Sequence, residues 1–256
     1  EHPPVGGGFG DTYNTPASTL LPVPDGLADD AAIFTEPAAV AIHAAWRRPI
    51  EAGAKVLVLG CGPVGFLLIQ VLNILQPDCE VTALAQFPWQ AELARGFGAQ
   101  NAFLSSDDGY AEAARLTDAR LYEGHRGNRI LLGGFDLIFD VVGSPLTLNN
   151  ALRWARAGGA VVLVGINLHP MKLDVTPVWY QEVDLIGAVG HDVVTWNGRA
   201  VSTFDLAMRW LDSGRLDSSG LLTHRFPLGA YRQAFETALD KRVQRSVKVA
   251  FDLQME

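Results

Sequence analysis

Three glycines spaced as Gly60-x-Gly62-x-x-Gly65 stand between two apolar runs, Lys55 to Leu59 before them and Phe66 to Leu72 after. That spacing suits the binding of a pyrophosphate. The first glycine permits a tight turn, the second lets backbone N–H groups come up to the anion, and the third lets a helix pack close to the strand. Unpaired N–H groups at the helix start then favour negative charge. Such turns also occur as purely structural loops, but a strand on one side and a helix on the other make this one a dinucleotide site. Among the histidines, His191 follows Gly190 at a crevice edge, where it reads as a structural or solvated group with contact to a bound ligand as the alternative. His2, His125, His169 and His224 fall in loops or at strand ends and read as structural or solvated groups. Cys61 and Cys79 read as small core residues. Two cysteines supply neither a disulfide framework nor a Cys-rich zinc ribbon, and they fit a reducing cytoplasm.

The glycine loop needs a sheet to hold it, and the chain supplies the pattern for one. Glu36-Pro37 followed by Ala38 to Trp46 predicts a helix with proline in its first turn, closed by Arg47, Arg48 and Pro49. Glu80 to Ala85 predicts a second strand, Trp89 to Phe97 a helix, Ala102 to Leu104 a third strand and Tyr110 to Leu116 a further helix. Phe135 to Gly143 predicts a fourth strand with a glycine end, and Leu146 to Arg156 a helix closed by Gly158-Gly159. Ala160 to Val164 predicts a fifth strand ending at Gly165, and Val183 to Val189 a sixth ending at Gly190. Strands alternating with helices give a parallel, doubly wound six-stranded Rossmann sheet, an α/β fold with its ligand crevice at the strand carboxyl ends. Thr117 to Gly134, with Arg120, His125, Arg126 and Arg129, has no clear period and reads as a solvated surface insertion, the alternative being a basic site for a phosphate or an anionic substrate. Thr19 to Leu27 reads as a short edge strand and turn, Ser202 onward as a helix with a capping-box-like start, Leu221 to Phe226 as a strand, Tyr231 to Leu239 as a helix, and Ser246 to Leu253 as a final strand.

Composition bounds the partners. A chain of 256 residues that is 48% hydrophobic and 19% charged is ordinary globular material. Its net charge of -8 comes without a basic run, which argues against nucleic acid. No apolar run reaches the roughly 18 residues that a membrane span needs, and no signal-peptide pattern is present. The chain starts at Glu1 in a Pro/Gly-rich stretch, so it reads as a piece of a longer protein.

These pieces together resemble the medium-chain, zinc-type alcohol dehydrogenases, in particular the sorbitol and threonine dehydrogenase branch. The resemblance is carried by Leu21 to Leu27, Glu36-Pro37 with His43, Gly60 to Gly65, Phe135 to Gly143, Gly158-Gly159 through Gly165, Thr223 to Leu228, and Lys248-Val249. It implies an oxidoreductase that transfers hydride between an alcohol and NAD or NADP, with zinc as a Lewis acid in the full-length form. It implies small alcohol or ketone substrates and a homodimer or homotetramer joined through the sheet edge, with neither a nucleic acid nor a membrane as partner. The expected organisation is residues 1–35 as a remnant of a GroES-like catalytic domain, 36–215 as the Rossmann domain, and 216–256 as the return to the catalytic domain. The expected cofactor set is Gly60, Gly62, Pro63, Val64, Gly65, Ala85, Gln86, Val142, Gly143, Val164, Gly165, Gly190 and Lys248. For Lys248 the resemblance implies an approach to the pyrophosphate, and the alternative is a solvated lysine at a strand end. His43 falls on the helix beside the cofactor cleft.

The chain also departs from that family. The cysteine ligand and the Gly-His-Glu ligand motif are not in it, so the zinc site is incomplete and no catalytic residue is assigned. Glu36 is the one candidate metal ligand, with the alternative role of an acid at a helix N-terminus. NAD-selective members carry an acid at the end of the second strand, where this chain has Ala85 and Gln86, so NAD and NADP both stay open. None of Tyr13, Tyr110, Tyr122, Tyr180 and Tyr231 has a lysine four residues on, which excludes a short-chain dehydrogenase. A methyltransferase would want an acid where Ala85 stands. The remaining alternative is a non-catalytic nucleotide-binding module.

Overall fold

A computed structural model describes residues 9, 10, 12, 15–125 and 128–255. His2, Tyr13 and Arg126, named above, lie outside the described residues. The chain forms two compact units, residues 35–217 and residues 1–34 with 218–256.

The larger unit is built on a six-stranded parallel sheet. Before it, α1 (Asp29–Ala32) belongs to the smaller unit, and α2 (Thr35–Trp46) opens the larger one. The sheet then follows as β1 (Lys55–Leu59), α3 (Pro63–Leu75), β2 (Glu80–Ala85), α4 (Pro88–Gly96), β3 (Asn101–Leu104) and α5 (Gly109–Thr117). A hairpin of β4 (Arg120–Glu123) and β5 (Arg129–Leu132) intervenes. The sheet resumes with β6 (Phe135–Asp140), α6 (Pro145–Trp154), β7 (Ala155–Leu163), α7 (Thr176–Tyr180) and β8 (Asp184–Gly187). Spatial order is β3-β2-β1-β6-β7-β8, all parallel, so the chain reverses direction across the sheet between β1 and β6. That switch point is where an open α/β sheet forms its ligand crevice. The inner strands read as unbroken apolar runs because helices cover both faces: Val56 to Leu59 and Phe139 are fully buried. α3 is buried from Gly65 through Leu72, which explains its lack of a polar face.

Four local expectations change. Thr117 to Gly134 is not a loop throughout but carries the β4–β5 antiparallel hairpin, with Leu121 opposite Leu131 and Leu131 only 1% exposed. Its Arg129 is held by both carboxylate oxygens of Asp108 (2.7 and 2.9 Å), the N-cap of α5, and lies over the Tyr110 ring. The Arg129 guanidinium holds the Asp108 carboxyl below the usual carboxylate range. α6 stops at Trp154 rather than at Gly158-Gly159, because β7 begins at once at Ala155 and a bulge takes up Arg156 to Gly159 against β6. Gly158 supplies the left-handed φ of +67° that the bulge uses. Strand β8 ends at Gly187, three residues before Gly190. Thr19 to Leu27 forms no strand; Pro22 and Pro24 remove ladder donors there, and Leu20, Leu21 and Val23 are exposed.

Beyond β8, an unexpected hairpin of β9 (Val193–Trp196) and β10 (Arg199–Ser202) leads into α8 (Thr203–Asp212). Ser202 caps α8 by accepting the Phe204 N–H at 3.2 Å. In the smaller unit, β11 (Leu222–Phe226) pairs in parallel with β12 (Lys248–Phe251), with α9 (Tyr231–Leu239) and α10 (Lys241–Gln244) between them in sequence. Phe9, Phe235 and Phe251 meet edge to face there, and Arg225 pairs with Asp30. Among the described residues no helix is long and apolar enough to cross a membrane.

Candidate functional site

The turn after β1 is shaped by contacts that only glycine allows. Gly60 has φ +108°, and a Cβ on it would meet Val142 Cγ2 at 2.6 Å. A Cβ on Gly65 would lie 2.0 Å from the Gly60 carbonyl oxygen, so α3 starts with its backbone pressed onto the turn. Gly62 is different. It is the N-cap of α3, in extended backbone, and a Cβ there would point into open space. Pro63 occupies the first helical position, where its missing N–H removes no helix bond. The three N–H groups left without helix partners, those of Gly62, Val64 and Gly65, therefore stand at the start of α3 with room for an anion before Gly62.

The ends of β6 and β7 close the other side. A Cβ on Gly165 would meet the Val142 carbonyl carbon at 2.2 Å, and one on Gly143 (φ +74°) the Gly165 oxygen at 2.4 Å. This double backbone approach is organised by Asp140, the last residue of β6, which is fully buried. Its Oδ1 accepts the N–H groups of Val142 (3.0 Å) and Gly143 (2.9 Å), and its Oδ2 accepts the Thr147 hydroxyl (3.0 Å). Its carbonyl oxygen accepts the Val164 and Gly165 N–H groups, both at 2.9 Å. Burial pushes the Asp140 carboxyl up, against the pull of those donors.

Gln90 ties the glycine loop to the turn after β2. It is 5% exposed on α4; its Oε1 accepts the N–H groups of Gln86 and Phe87, each at 3.1 Å, and its Nε2 donates to the Cys61 carbonyl at 2.9 Å. The Gly60 N–H donates to the Leu84 oxygen at 3.0 Å, completing the link. Ala85 is fully buried, so Gln86, exposed, is the residue this turn presents. Cys61 is buried against the Leu84 carbonyl, and burial pushes its thiol up to about 12, which leaves it protonated and inert. Gln90→Leu is expected to lower the stability of the larger unit by about 2 kcal/mol, because it strands two donors and one acceptor. Urea denaturation checks it, and an unchanged midpoint would count against the linking role.

The other predicted residues are placed as follows. Gly60, Gly62, Pro63, Val64, Gly65, Val142, Gly143, Val164 and Gly165 gather at the switch point, with Ala85 at the end of β2 and Gln86 in the turn after it. Gly190 (φ +63°) lies in an exposed turn beyond β8. Lys248 belongs to the smaller unit, where its Nζ stands 5.6 Å from the centre of the Phe34 ring. Arg47 donates to the Gly187 carbonyl (2.9 Å) and Arg48 to Asp184 (2.7 Å), which ties the carboxyl-terminal end of α2, where His43 lies in the last turn, to β8. Glu36 is exposed in the first turn of α2. Among the described residues no group of three or more His, Cys, Asp or Glu side chains is placed to hold a metal. His43 is buried, and burial lowers its pKa while the Asp192 carboxylate opposes the shift. His191 is exposed, its ring edge-on to Phe204 at 4.5 Å.

Local spacing in the sequence points to neither Asp140 nor Gln90. An acid at the carboxyl end of a strand before a glycine turn is the one sequence sign for Asp140, and Gln90 leaves none.

Known proteins resemble this chain in sequence and fold. A family model described as zinc-binding dehydrogenase matches residues 63–212, more than half of the chain. The L-idonate 5-dehydrogenase of Vitis vinifera is 29% identical over 262 residues, covering 98% of this chain and 64% of its own length. The sorbitol dehydrogenase of Arabidopsis thaliana is 29% identical over 259 residues, with the same 98% and 64% coverage. The L-idonate 5-dehydrogenase (NAD(P)(+)) of Escherichia coli is 27% identical over 249 residues, covering 97% and 65%. A crystal structure of L-idonate 5-dehydrogenase from that organism gives a TM-score of 0.71 at 26% identity, covering 91% of this chain and 59% of that one. The chain thus spans less than two thirds of the length of these relatives. On the family match and the shared sheet, this chain belongs to the zinc-binding dehydrogenase family.

Proposed function

We propose that this chain is the dinucleotide-binding part of an alcohol or polyol dehydrogenase that works with NAD or NADP. The observation that carries the reading is the open face of Gly62 at the start of α3, walled by the Gly143–Gly165 approach. The α3 amides would hold the pyrophosphate, since aligned N–H groups favour an anion. Asp140 fixes the Val142–Gly143 turn so that the far wall of the cleft is rigid. Val142, 46% exposed, presents an apolar surface to a planar ring beside that wall. A nicotinamide dinucleotide, when bound there, supplies the hydride chemistry. The small-alcohol substrate class rests on the relatives' names, a polyol or a sugar acid. The described residues do not fit a zinc centre, Glu36 being without companions in any metal-binding group, and no step is assigned to one.

We place the protein in the cytoplasm as a homodimer or homotetramer, without nucleic acid or membrane partners. Two buried free thiols suit a reducing compartment. The edge strand β8 leaves Leu185 at 40% exposure, a surface for a second subunit.

Titrating the folded chain with NADH and NADPH, followed by nicotinamide fluorescence, tests the reading. A saturable change with at least one of them is expected, and none with either would overturn it. Gly62→Ala sharpens the result. It meets no neighbour, so stability is expected to hold within about 0.5 kcal/mol, while the added methyl crowds the anion and weakens binding by about tenfold.

A further inference from the structure

The turn after β2 carries an inference that rests on the dinucleotide reading and goes beyond it. A site that tells NAD from NADP does so electrostatically at the adenosine ribose: a carboxylate accepts from the hydroxyls and repels a 2′-phosphate, or a cation attracts one. This turn has neither group. Ala85 is buried where the acid would stand. The backbone N–H groups of Gln86 and Phe87, which would otherwise form a small anion nest, both donate to Gln90 Oε1.

The charges on the neighbouring elements are committed elsewhere. Ser105 N–H donates across to the Ala85 oxygen at 2.8 Å, so the preceding Leu104 N–H faces away from β2. It is this outward N–H that holds the Asp107 carboxylate, at 2.7 Å, on the far side of β3. The Arg95 guanidinium is bonded to the Ala102 carbonyl at 2.9 Å. What the turn offers a ribose is the exposed side chain of Gln86, which makes no hydrogen bond among the described residues. Its amide both donates and accepts, so it serves a hydroxyl as an acceptor and a phosphate as a donor.

We propose that Gln86 is the residue through which this protein reads the adenosine ribose, and that it does so without strong selection, accepting dinucleotides with a 2′-hydroxyl or a 2′-phosphate at similar affinity. Binding strength then comes from the shared pyrophosphate contacts, and the 2′ group adds little either way.

The test is a pair of fluorescence titrations of the whole chain with NADH and NADPH at one salt concentration. They are repeated for Gln86→Asp and Gln86→Arg, with thermal melts to show that both variants fold. The wild-type dissociation constants are expected to agree within about tenfold. Gln86→Asp is expected to shift the ratio towards NADH by about tenfold and Gln86→Arg to shift it as far towards NADPH. Binding of both nucleotides with a wild-type preference beyond about tenfold overturns the lack of selection and leaves the dinucleotide reading intact. An unmoved ratio in both folded variants overturns the role of Gln86. Binding of neither nucleotide overturns the dinucleotide reading and this inference with it.

Discussion

Gly65→Ala is expected to destabilise the larger unit by about 3 kcal/mol or more, lowering its thermal midpoint by roughly 6–12 °C for a unit of this size. The reason is the nature of the neighbour. A Cβ at Gly65 lies 2.0 Å from the Gly60 carbonyl oxygen and 3.1 Å from its carbon, and both atoms are backbone. A flexible side chain would swing aside at small cost, but this carbonyl belongs to a turn fixed by the Gly60 N–H bond to Leu84. Relief requires α3 to lift off the sheet, which would expose residues such as Phe66 and Ile69 that are fully buried. Gly62→Ala is the matched control, with the same chemical change three residues earlier in open space. Chemical denaturation of the two variants side by side checks the contrast. Equal midpoints would show that the Gly60–Gly65 contact does not constrain the loop.

Asp140→Ala is expected to cost about 2–5 kcal/mol. Two backbone donors, Val142 N–H and Gly143 N–H, lose a shared acceptor, and the Thr147 hydroxyl loses another. Asp140→Asn is gentler, because its side-chain oxygen still serves the backbone pair while the amide nitrogen turns to Thr147. The pH dependence separates charge from shape. Burial raises the Asp140 carboxyl above its unfolded value, so between that value, about 3.9, and the raised folded one the native state holds the proton more tightly. Stability from this group therefore declines as pH rises through that window. The asparagine variant has no such decline, so the wild type's advantage over it is expected to shrink from acid towards neutral pH. Thermal melts at a series of pH values measure the difference. An advantage that grows with pH would mean that hydrogen bonding to the carboxylate outweighs its burial.

Gly65 and Asp140 differ in how far the sequence shows their roles. Gly60, Gly62 and Gly65 act within six positions of one another, and the strand and helix that give them meaning adjoin them directly. The turn was therefore readable from local spacing, and the six strands followed from apolar runs of strand length. Asp140 and Gln90 work across the sheet. Asp140 fixes its own turn but also receives Gly165, and Gln90 reaches back to Cys61, contacts 25 and 29 residues apart that no local period records. The β4–β5 hairpin was hidden for a related reason. Its strands hold four residues each, too few to show alternation, and its stability leans on Leu131 packing inward and on Arg129 meeting Asp108.

What the chain determines by itself is its order of strands and helices and the place of its glycine turn, because backbone sterics and apolar periodicity operate between neighbours in sequence. What only the tertiary structure decided is which glycines are closed by contacts and which stands open, and which buried polar groups hold the cleft. It also decided that Gln86, rather than Ala85, is exposed at the turn after β2. Those outcomes depend on strands from distant parts of the chain being brought side by side, where a single Cβ or one unsatisfied N–H changes the balance by several kcal/mol.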